Sequence, residues 1–454
     1  MLAKMNTTRL IGWLFVGLAW MVPAVRGESI AVGVARIDIT PEGPIRLNGF
    51  LARDSESRGV QQRIWAKALA MGSDEQGVSL LVTVDILGVP DAITGELAER
   101  LKRRAGLVRE RLAVSSSHTH TAPCLNGVTP NIFGKPIPAA QRERIDAYTR
   151  GLIDKLEQVS LDALRDRRPA TLGWTRGQVD FARNRRAQGG PVDHGLPMLR
   201  ALDSDGRIRA IVVGYACHCT TLDPKDNLIS GDWAGEAQLA IETNHPGAVA
   251  MVVIGCGADS NPKDRPGRDV ARRHGQAIAS EVDRLLKGDL RPLSTPPRGK
   301  VVRAPLPFDT LPTREELQQL VAKGGPPGYN ASTQLARLDR GEPLQRELDY
   351  VVQSWCFGDD LVMVFLAGEV VVDYSVRLRA ELDRDRLWVV AYANDLPCYI
   401  PSERILREGG YEGGGAMVYY GRPTRLKPGV EDRIVSAIHG IVPSAFVSRN
   451  QPSQ

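Results

Sequence analysis

Short apolar segments alternate with amphipathic segments along most of the chain, and this alternation constrains the fold more than any other feature. The run VSLLVTVDILGVP at 78–90 is nearly continuous in apolar residues, which is typical of a central strand. It leads into DAITGELAERLKRRAG at 91–106, where apolar residues recur at helical spacing and Gly106 ends the predicted helix. Further pairs of this kind predict one large mixed α/β domain, with central β-sheets flanked by helices.

Residues 289–345 depart from this pattern. They are rich in proline, glycine and charge, and the stretch TREELQQLVAKG predicts one helix among them. We interpret the segment as an ordered insertion or connecting arm within the domain.

The N-terminus has the features of a secretory signal peptide. Lys4 and Arg9 precede an apolar run of sixteen residues, Leu10 to Val25, which Pro23 interrupts near a small residue, Gly27. The sequence thus predicts a cleaved signal peptide at 1–27, a single catalytic domain at 28–446 and a disordered tail at 447–454, in a secreted or periplasmic protein. An uncleaved N-terminal anchor is the alternative. No other run is long and apolar enough to cross a bilayer, so membrane contact is expected to be peripheral at most.

The charge balance argues against a nucleic-acid partner. The formal net charge is +5, and it falls to +2 without residues 1–27, which carry three basic residues and no acidic one. No basic stripe with interleaved aromatic residues is present. We therefore expect a small-molecule or lipid substrate.

The chain has six cysteines, at positions 124, 217, 219, 256, 356 and 398. In an exported protein these are expected to be buried thiols or disulfides. Cys217 and Cys219 flank His218, so a role as metal ligands is an alternative. Strand alternation would point His218 away from both of them.

Polar residues repeatedly follow the predicted apolar strands, where ligands bind in open α/β sheets. These residues are His118 and His120 after RLAV, His218 after IVVGYAC, Asp259 and Ser260 after VVIGCG, Glu369 after VMVFLAG, and Asn394 and Asp395 after VVAYA. An extended backbone would place His118 and His120 on one face. Two histidines and a glutamate are a common set of protein ligands for a catalytic zinc ion. They leave a fourth coordination position for a water molecule, whose pKa the zinc lowers.

Five motifs, in order between about residues 30 and 440, resemble the N-terminal catalytic domain of the neutral (non-lysosomal) ceramidases. They are SSSHTHTAP at 115–123, ACHCTTLDPKDNLISGDWAG at 216–235, CGADSNP at 256–262, FLAGEVVVDYSVRLR at 365–379 and CYIPSERILREGGYEGG at 398–414. Each motif is short, but their shared order is specific.

The resemblance implies roles for eight residues. One zinc ion would be held by His118, His218, Glu369 and Tyr399. Catalytic roles would fall to His120 beside the attacking water, to Tyr411 and Arg185 at the carbonyl oxygen, and to Ser260, which matches a proposed nucleophile. Between zinc-activated water and the serine, the zinc route needs fewer assumptions, because a serine needs a base within hydrogen-bond reach.

The chain also departs from the family pattern. We expect it to lack the further C-terminal β-sandwich domain of the family, and Cys219 stands where the family usually has proline. The serine motif reads Asp-Ser-Asn-Pro, and the segment between His218 and Ser260 is short. The sequence predicts a zinc-dependent amidohydrolase acting on ceramide or another N-acyl lipid. The alternatives are a hydrolase of another amide or ester, such as an N-acyl sugar, and a non-catalytic binding protein on the same scaffold.

Overall fold

The computed structural model describes residues 29–448. The predicted signal peptide lies outside this range, as does most of the predicted tail. At the end of the range, Val447 forms a bridge with Leu382, and the Ser448 N–H donates to the carbonyl of Glu381. None of the helices between 29 and 448 combines the length and apolarity needed to span a bilayer.

The strands between residues 29 and 448 form two larger sheets and two short ladders. They are β1 (Ile30–Asp38), β2 (Trp65–Met71), β3 (Ser79–Val84), β4 (Leu112–Ser116), β5 (Arg168–Gln178), β6 (Ala182–Asn184), β7 (Gly195–Asp203), β8 (Ile208–Tyr215), β9 (Val249–Ile254), β10 (Ser260–Pro262), β11 (Arg291–Leu293), β12 (Arg298–Pro307), β13 (Glu347–Phe357), β14 (Leu361–Leu366), β15 (Glu369–Val370), β16 (Leu387–Val390) and β17 (Tyr399–Ile400).

The α-helices of the same range include the two predicted at 91–106 and 313–324. They are α1 (Asp91–Ala105), α2 (Ala139–Arg165), α3 (Asp232–Asn244), α4 (Arg268–Leu286), α5 (Arg314–Lys323), α6 (Gly325–Asp339), α7 (Val372–Glu381), α8 (Glu403–Glu408) and α9 (Val430–Ile441). Gly106 ends α1 in a left-handed conformation, as its position after the last apolar repeat predicts.

The main sheet has the strand order β4-β3-β2-β1-β5-β7-β8-β9, with β11 beside β5. Its pairs are antiparallel except for β3–β4 and β8–β9, which are parallel. The sheet curves until β9 approaches β4, and the segment 391–394 joins the two. The Ala391 N–H donates to Ile254 in β9, and the Asn394 N–H donates to Val114 in β4. The carboxyl ends of β4, β8 and β9 therefore meet at one edge.

Successive residues of the central strands point alternately into two hydrophobic cores, one on each face of the main sheet. In β2, Ala66, Ala68 and Ala70 face the helices, whereas Leu69 and Met71 face the second sheet, β12-β13-β14-β16. Period-two alternation produces this division. The predicted fold class, a mixed α/β domain with central sheets flanked by helices, is confirmed.

The segment 289–345 is integral to the fold. β11 extends the main sheet and β12 forms the edge of the second one, so the segment is ordered as predicted. Helix α6 was not predicted, because it opens with Gly-Pro-Pro-Gly. Those prolines are tolerated because the first turn of a helix has N–H groups without intrahelical partners.

Candidate metal centre

The loops that follow β4 and β8 are joined by a backbone bridge between Thr119 and Cys219. The His120 N–H donates to the Cys219 carbonyl at 3.3 Å, which brings the HxH segment beside His218. The prediction of an extended backbone here is wrong, because His118 adopts φ +54°. The two imidazoles converge all the same, with 3.2 Å between the Nε2 atoms of His118 and His120.

Glu369 and Tyr399 come together through the short parallel ladder β15–β17, in which they are directly paired. Gly368 allows the backbone before Glu369 to approach the backbone before Tyr399. Its φ is +79°, and a Cβ there would lie 2.7 Å from the carbonyl oxygen of Cys398. Only glycine combines this backbone conformation with the close contact.

The four predicted ligands share one location. Glu369 Oε2 lies 3.0 Å from His218 Nε2 and 3.3 Å from His118 Nε2, and the Tyr399 hydroxyl lies 3.3 Å from His218 Nε2. His118 and His218 are fully buried, and His120 is partly buried. We call His118, His120, His218, Glu369 and Tyr399 the candidate metal centre.

The outer nitrogens of all three imidazoles are anchored to backbone carbonyl oxygens. The Nδ1 atoms of His118, His120 and His218 donate to the carbonyls of Leu87, Gly49 and Gly257, at 2.7, 2.9 and 2.9 Å. Because a carbonyl can only accept, each Nδ1 carries a hydrogen, and in the neutral ring each Nε2 presents a lone pair inward. Such anchoring is typical of metal-binding histidines.

This arrangement fits a cation. Lone pairs face one another in three contacts, which are His118 with His120, His118 with Glu369 and His218 with Glu369. A single proton can relieve one such contact, whereas a metal ion among the ligand atoms relieves all three. The ligand atoms of the three histidines lie within 4.8 Å of one another, and the group can therefore hold a metal ion.

The electrostatics favour the ligand forms of these side chains. Burial, reinforced by the charge of Arg185, lowers the pKa of His218 to about 4. Burial and the neighbouring imidazoles likewise lower the pKa of His120 well below its usual value. Burial opposes ionisation of Glu369, but contact with His118 and His218 outweighs it and lowers the pKa of the carboxyl. At neutral pH the imidazoles of His120 and His218 are therefore neutral and the Glu369 carboxylate is ionised, as metal binding requires.

Arg185 and Tyr411 lie beside Tyr399. Arg185 donates to the Tyr399 hydroxyl at 3.0 Å and to Glu412 at 2.7 Å. Its guanidinium carbon is 5.5 Å from the ring centroids of both Tyr399 and Tyr411. Tyr411 is 44% exposed, which puts it at the open rim of the site.

Ser260 is close to the centre in the fold, but its hydroxyl is isolated. The carbonyl of Ser260 accepts from the His218 N–H at 3.0 Å. Its Oγ is buried and has no hydrogen-bond partner among residues 29–448. The Ser260 backbone therefore helps to position His218, while the nucleophilic role of the Ser260 side chain stays a prediction.

Three residues around the centre were missed by the sequence reasoning. The Tyr420 hydroxyl donates to Glu369 Oε1, Tyr392 packs its ring against His118 at a centroid distance of 4.3 Å, and Arg53 donates to the His120 carbonyl. These contacts cross long stretches of chain, 51 residues for Tyr420 and Glu369, and no spacing pattern marks them.

The remaining polar residues at strand ends support the backbone. The Asp259 carboxylate accepts from the Val372 N–H, and Asn394 Oδ1 accepts from the Val114 N–H. Asp395 accepts from the N–H of Asp91 at the start of α1. The side chains of Asp259, Asn394 and Asp395 thus hold the loops around the site in place through hydrogen bonds to the backbone.

All six cysteines are free thiols, and all except the partly exposed Cys356 are buried. For the five buried cysteines, this agrees with the first arm of the prediction, which was buried thiols or disulfides. Burial also raises the pKa of Cys217 and of Cys219 well above the usual thiol value. Neither thiol belongs to the metal-binding group found within residues 29–448.

Comparison with known proteins identifies relatives of this chain. Residues 30–264 match the family described as neutral/alkaline non-lysosomal ceramidase, N-terminal. Neutral ceramidase of Drosophila melanogaster is 24% identical over 232 residues, which are 47% of this chain and 32% of the relative. Neutral ceramidase 2 of Arabidopsis thaliana is 25% identical over 230 residues, 46% of this chain and 30% of the relative. The matched segment thus spans about a third of these relatives.

The fold is shared with a solved structure. The crystal structure of neutral ceramidase from Pseudomonas aeruginosa superposes with a TM-score of 0.71 at 18% identity, covering 94% of this chain and 77% of that chain. The family match contains His118, His120, Arg185, His218 and Ser260, whereas the other predicted site residues follow it. A family match over more than half of its length, on a shared fold, shows that this chain belongs to the neutral/alkaline non-lysosomal ceramidase family.

Proposed function

We propose that the chain is a zinc-dependent hydrolase that cleaves a linear amide, with ceramide or another N-acyl lipid as substrate. The observation that carries this proposal is the convergence of three imidazole Nε2 atoms and Glu369 Oε2, each imidazole being anchored through Nδ1 to a carbonyl. Anchored imidazoles around a buried carboxylate are typical of a metal site used for hydrolysis.

Zinc is the proposed ion because imidazole and carboxylate are ligands it favours. His118, His218 and Glu369 would hold it, with Tyr399 as the fourth ligand. When bound, zinc would polarise the amide carbonyl and lower the pKa of a coordinated water towards neutrality.

His120 is the proposed proton carrier. Its Nδ1 is fixed by the Gly49 carbonyl, so Nε2 is the atom free to accept a proton from the attacking water and return it to the leaving amine. Tyr411 and Arg185 are the proposed donors to the developing oxyanion, because both are hydrogen-bond donors beside Tyr399.

An apolar rim supports an acyl substrate. The ring of Phe50 lies 5.0 Å from that of His120, and the next residue, Leu51, is 44% exposed. Phe50 is partly buried, and apolar side chains of this kind next to a catalytic centre suit the binding of a hydrocarbon chain.

The test is metal analysis of the purified protein, coupled to hydrolysis assays on a fluorescent ceramide and on short N-acyl amines. We expect about one zinc per chain, and His218→Ala should lose both the zinc and the activity. His245→Gln is the matched control, because His245 pairs with Asp283 at 2.8 Å, outside the centre. A zinc-loaded protein that hydrolyses neither amides nor esters refutes the proposal.

We also propose that the protein is exported, to the periplasm or the medium, after cleavage near Gly27. The support is the basic start and apolar run of residues 1–27. N-terminal sequencing of the protein expressed from the full chain tests this. A mature protein that still begins at Met1 contradicts it.

A further inference from the structure

A cavity of about 640 Å³ adjoins the candidate metal centre, and we call it the arginine cavity. No aspartate or glutamate lines it. The residues on its wall that matter here are Arg183, Arg185, Arg186, His194, Asn261 and Arg265.

Two of the four guanidinium groups are neutralised within the fold. Arg185 and Arg186 both bind the carboxylate of Glu412, at 2.7 and 2.6 Å, and Arg186 also pairs with Glu408 at 3.1 Å. Arg183 and Arg265 have no ion pair and no side-chain hydrogen bond with any residue in the described range 29–448. Burial, together with the like charges of Arg183 and Arg185, lowers the pKa of Arg265. The wall thus holds two cations, both at exposed positions, that have no counterion among residues 29–448.

The other polar groups of the wall add hydrogen-bond capacity. Asn261 is 7% exposed, and its Oδ1 accepts from the Thr220 hydroxyl at 3.3 Å, which leaves its Nδ2 amide as a donor. A concave surface with unpaired guanidinium groups and amide donors binds carboxylate, sulfonate or phosphate groups.

The arginine cavity and the candidate metal centre share a wall. Arg185 lines the cavity, and its guanidinium donates to the Tyr399 hydroxyl. The β6–β10 ladder pairs Arg183 with Asn261 and Asn184 with Ser260, and the carbonyl of Ser260 accepts from His218. A group bound in the cavity is therefore a neighbour of the ligands.

We propose that the arginine cavity binds an anionic group of the substrate, so that the amide cleaved at the metal centre belongs to an acidic N-acyl compound, such as an N-acyl amino acid or N-acyl aminosulfonate. This inference rests on the proposed hydrolase function and narrows its substrate class. The volume suits a small polar head rather than a macromolecular surface.

The test compares N-octanoylglycine with N-octanoylglycinamide, which differ in the terminal charge, and adds N-octanoyltaurine as a sulfonate. All are used below their micelle concentrations, so no lipid surface contributes. The proteins are the zinc-loaded wild type, the double variant Arg183→Gln/Arg265→Gln, the charge-preserving variant Arg183→Lys/Arg265→Lys and a control, Arg103→Gln, at an exposed position of α1.

We expect wild-type kcat/KM to be about tenfold higher for the anionic amides than for the glycinamide. This ratio should fall towards one in the glutamine double variant and be largely kept in the lysine variant and in Arg103→Gln. A wild-type ratio near one overturns the inference and leaves the hydrolase proposal intact.

Calorimetric binding of N-octanoylglycine to the chelator-treated protein separates the two proposals. If no amide is cleaved, but the anion binds the wild type about tenfold more tightly than the glutamine double variant, the anion site stands and the hydrolase proposal falls. Equal affinity of the two proteins overturns the inference by a measurement that does not depend on catalysis.

Discussion

Tyr420→Phe tests whether Glu369 is held for metal binding by a partner that the sequence did not reveal. The substitution removes the hydroxyl that donates to Glu369 Oε1 and keeps the ring. Tyr420 is 6% exposed and Glu369 is 3% exposed, so water cannot replace the lost donor. Without it, the carboxylate is no longer held with Oε2 towards His118 and His218.

A hydrogen bond to a charged group contributes about 1.5–3 kcal/mol. At about 1.4 kcal/mol per tenfold change in affinity, its loss corresponds to about 10- to 100-fold. The hydroxyl also stabilises the metal-free carboxylate, and so we expect the lower part of this range, about tenfold weaker zinc binding.

The assay is competition between the protein and a fluorescent zinc chelator, with the dissociation constant fitted for each variant. Tyr419→Phe is the matched control, because Tyr419 is the adjacent tyrosine and its side chain makes no hydrogen bond within residues 29–448. A Tyr420→Phe protein that is folded by circular dichroism and binds zinc as tightly as the wild type would refute the reasoning.

Three further outcomes follow from the geometry. Burial lowers the pKa of His218 from 6.5 to about 4, so the unfolded state binds more protons than the folded state between these pH values. The metal-free protein should therefore lose up to about 3 kcal/mol of stability as the pH falls from 6.5 to 4. Urea titrations should measure this loss, and they should show a smaller loss for His218→Gln. Gly275→Ala should lower the free energy of unfolding by about 1–3 kcal/mol, because a Cβ there would lie 2.6 Å from the α3 backbone. Gly151 has open space around it, and so Gly151→Ala should raise the free energy of unfolding by about 0.5–1 kcal/mol. Gly368→Ala should displace Glu369 and abolish stoichiometric zinc, read by metal analysis, while a zinc content equal to wild type would contradict the role given to the glycine.

Much of the fold could be predicted because its signals are local. The apolar run of β3 and the helical spacing in α1 involve residues that are close together in the sequence, and Gly106 ends α1 by its own backbone preference. Helix α6 was missed because its first residues, Gly-Pro-Pro-Gly, carry the local signal of a turn. There the packing of the following residues outweighs the local preference.

The sequence by itself determined which residue types stand at the strand ends, and the order of motifs pointed to the four proposed ligands. Only the tertiary structure decided how they meet. The left-handed backbone of His118, the carbonyl partners of the three imidazoles and the Tyr420 hydroxyl on Glu369 are set by the folded chain. The contact between His218 and Glu369 spans 151 residues. Sequence periodicity reports only on near neighbours, whereas a site of this kind is assembled by the curvature of a sheet that brings distant strand ends to one edge.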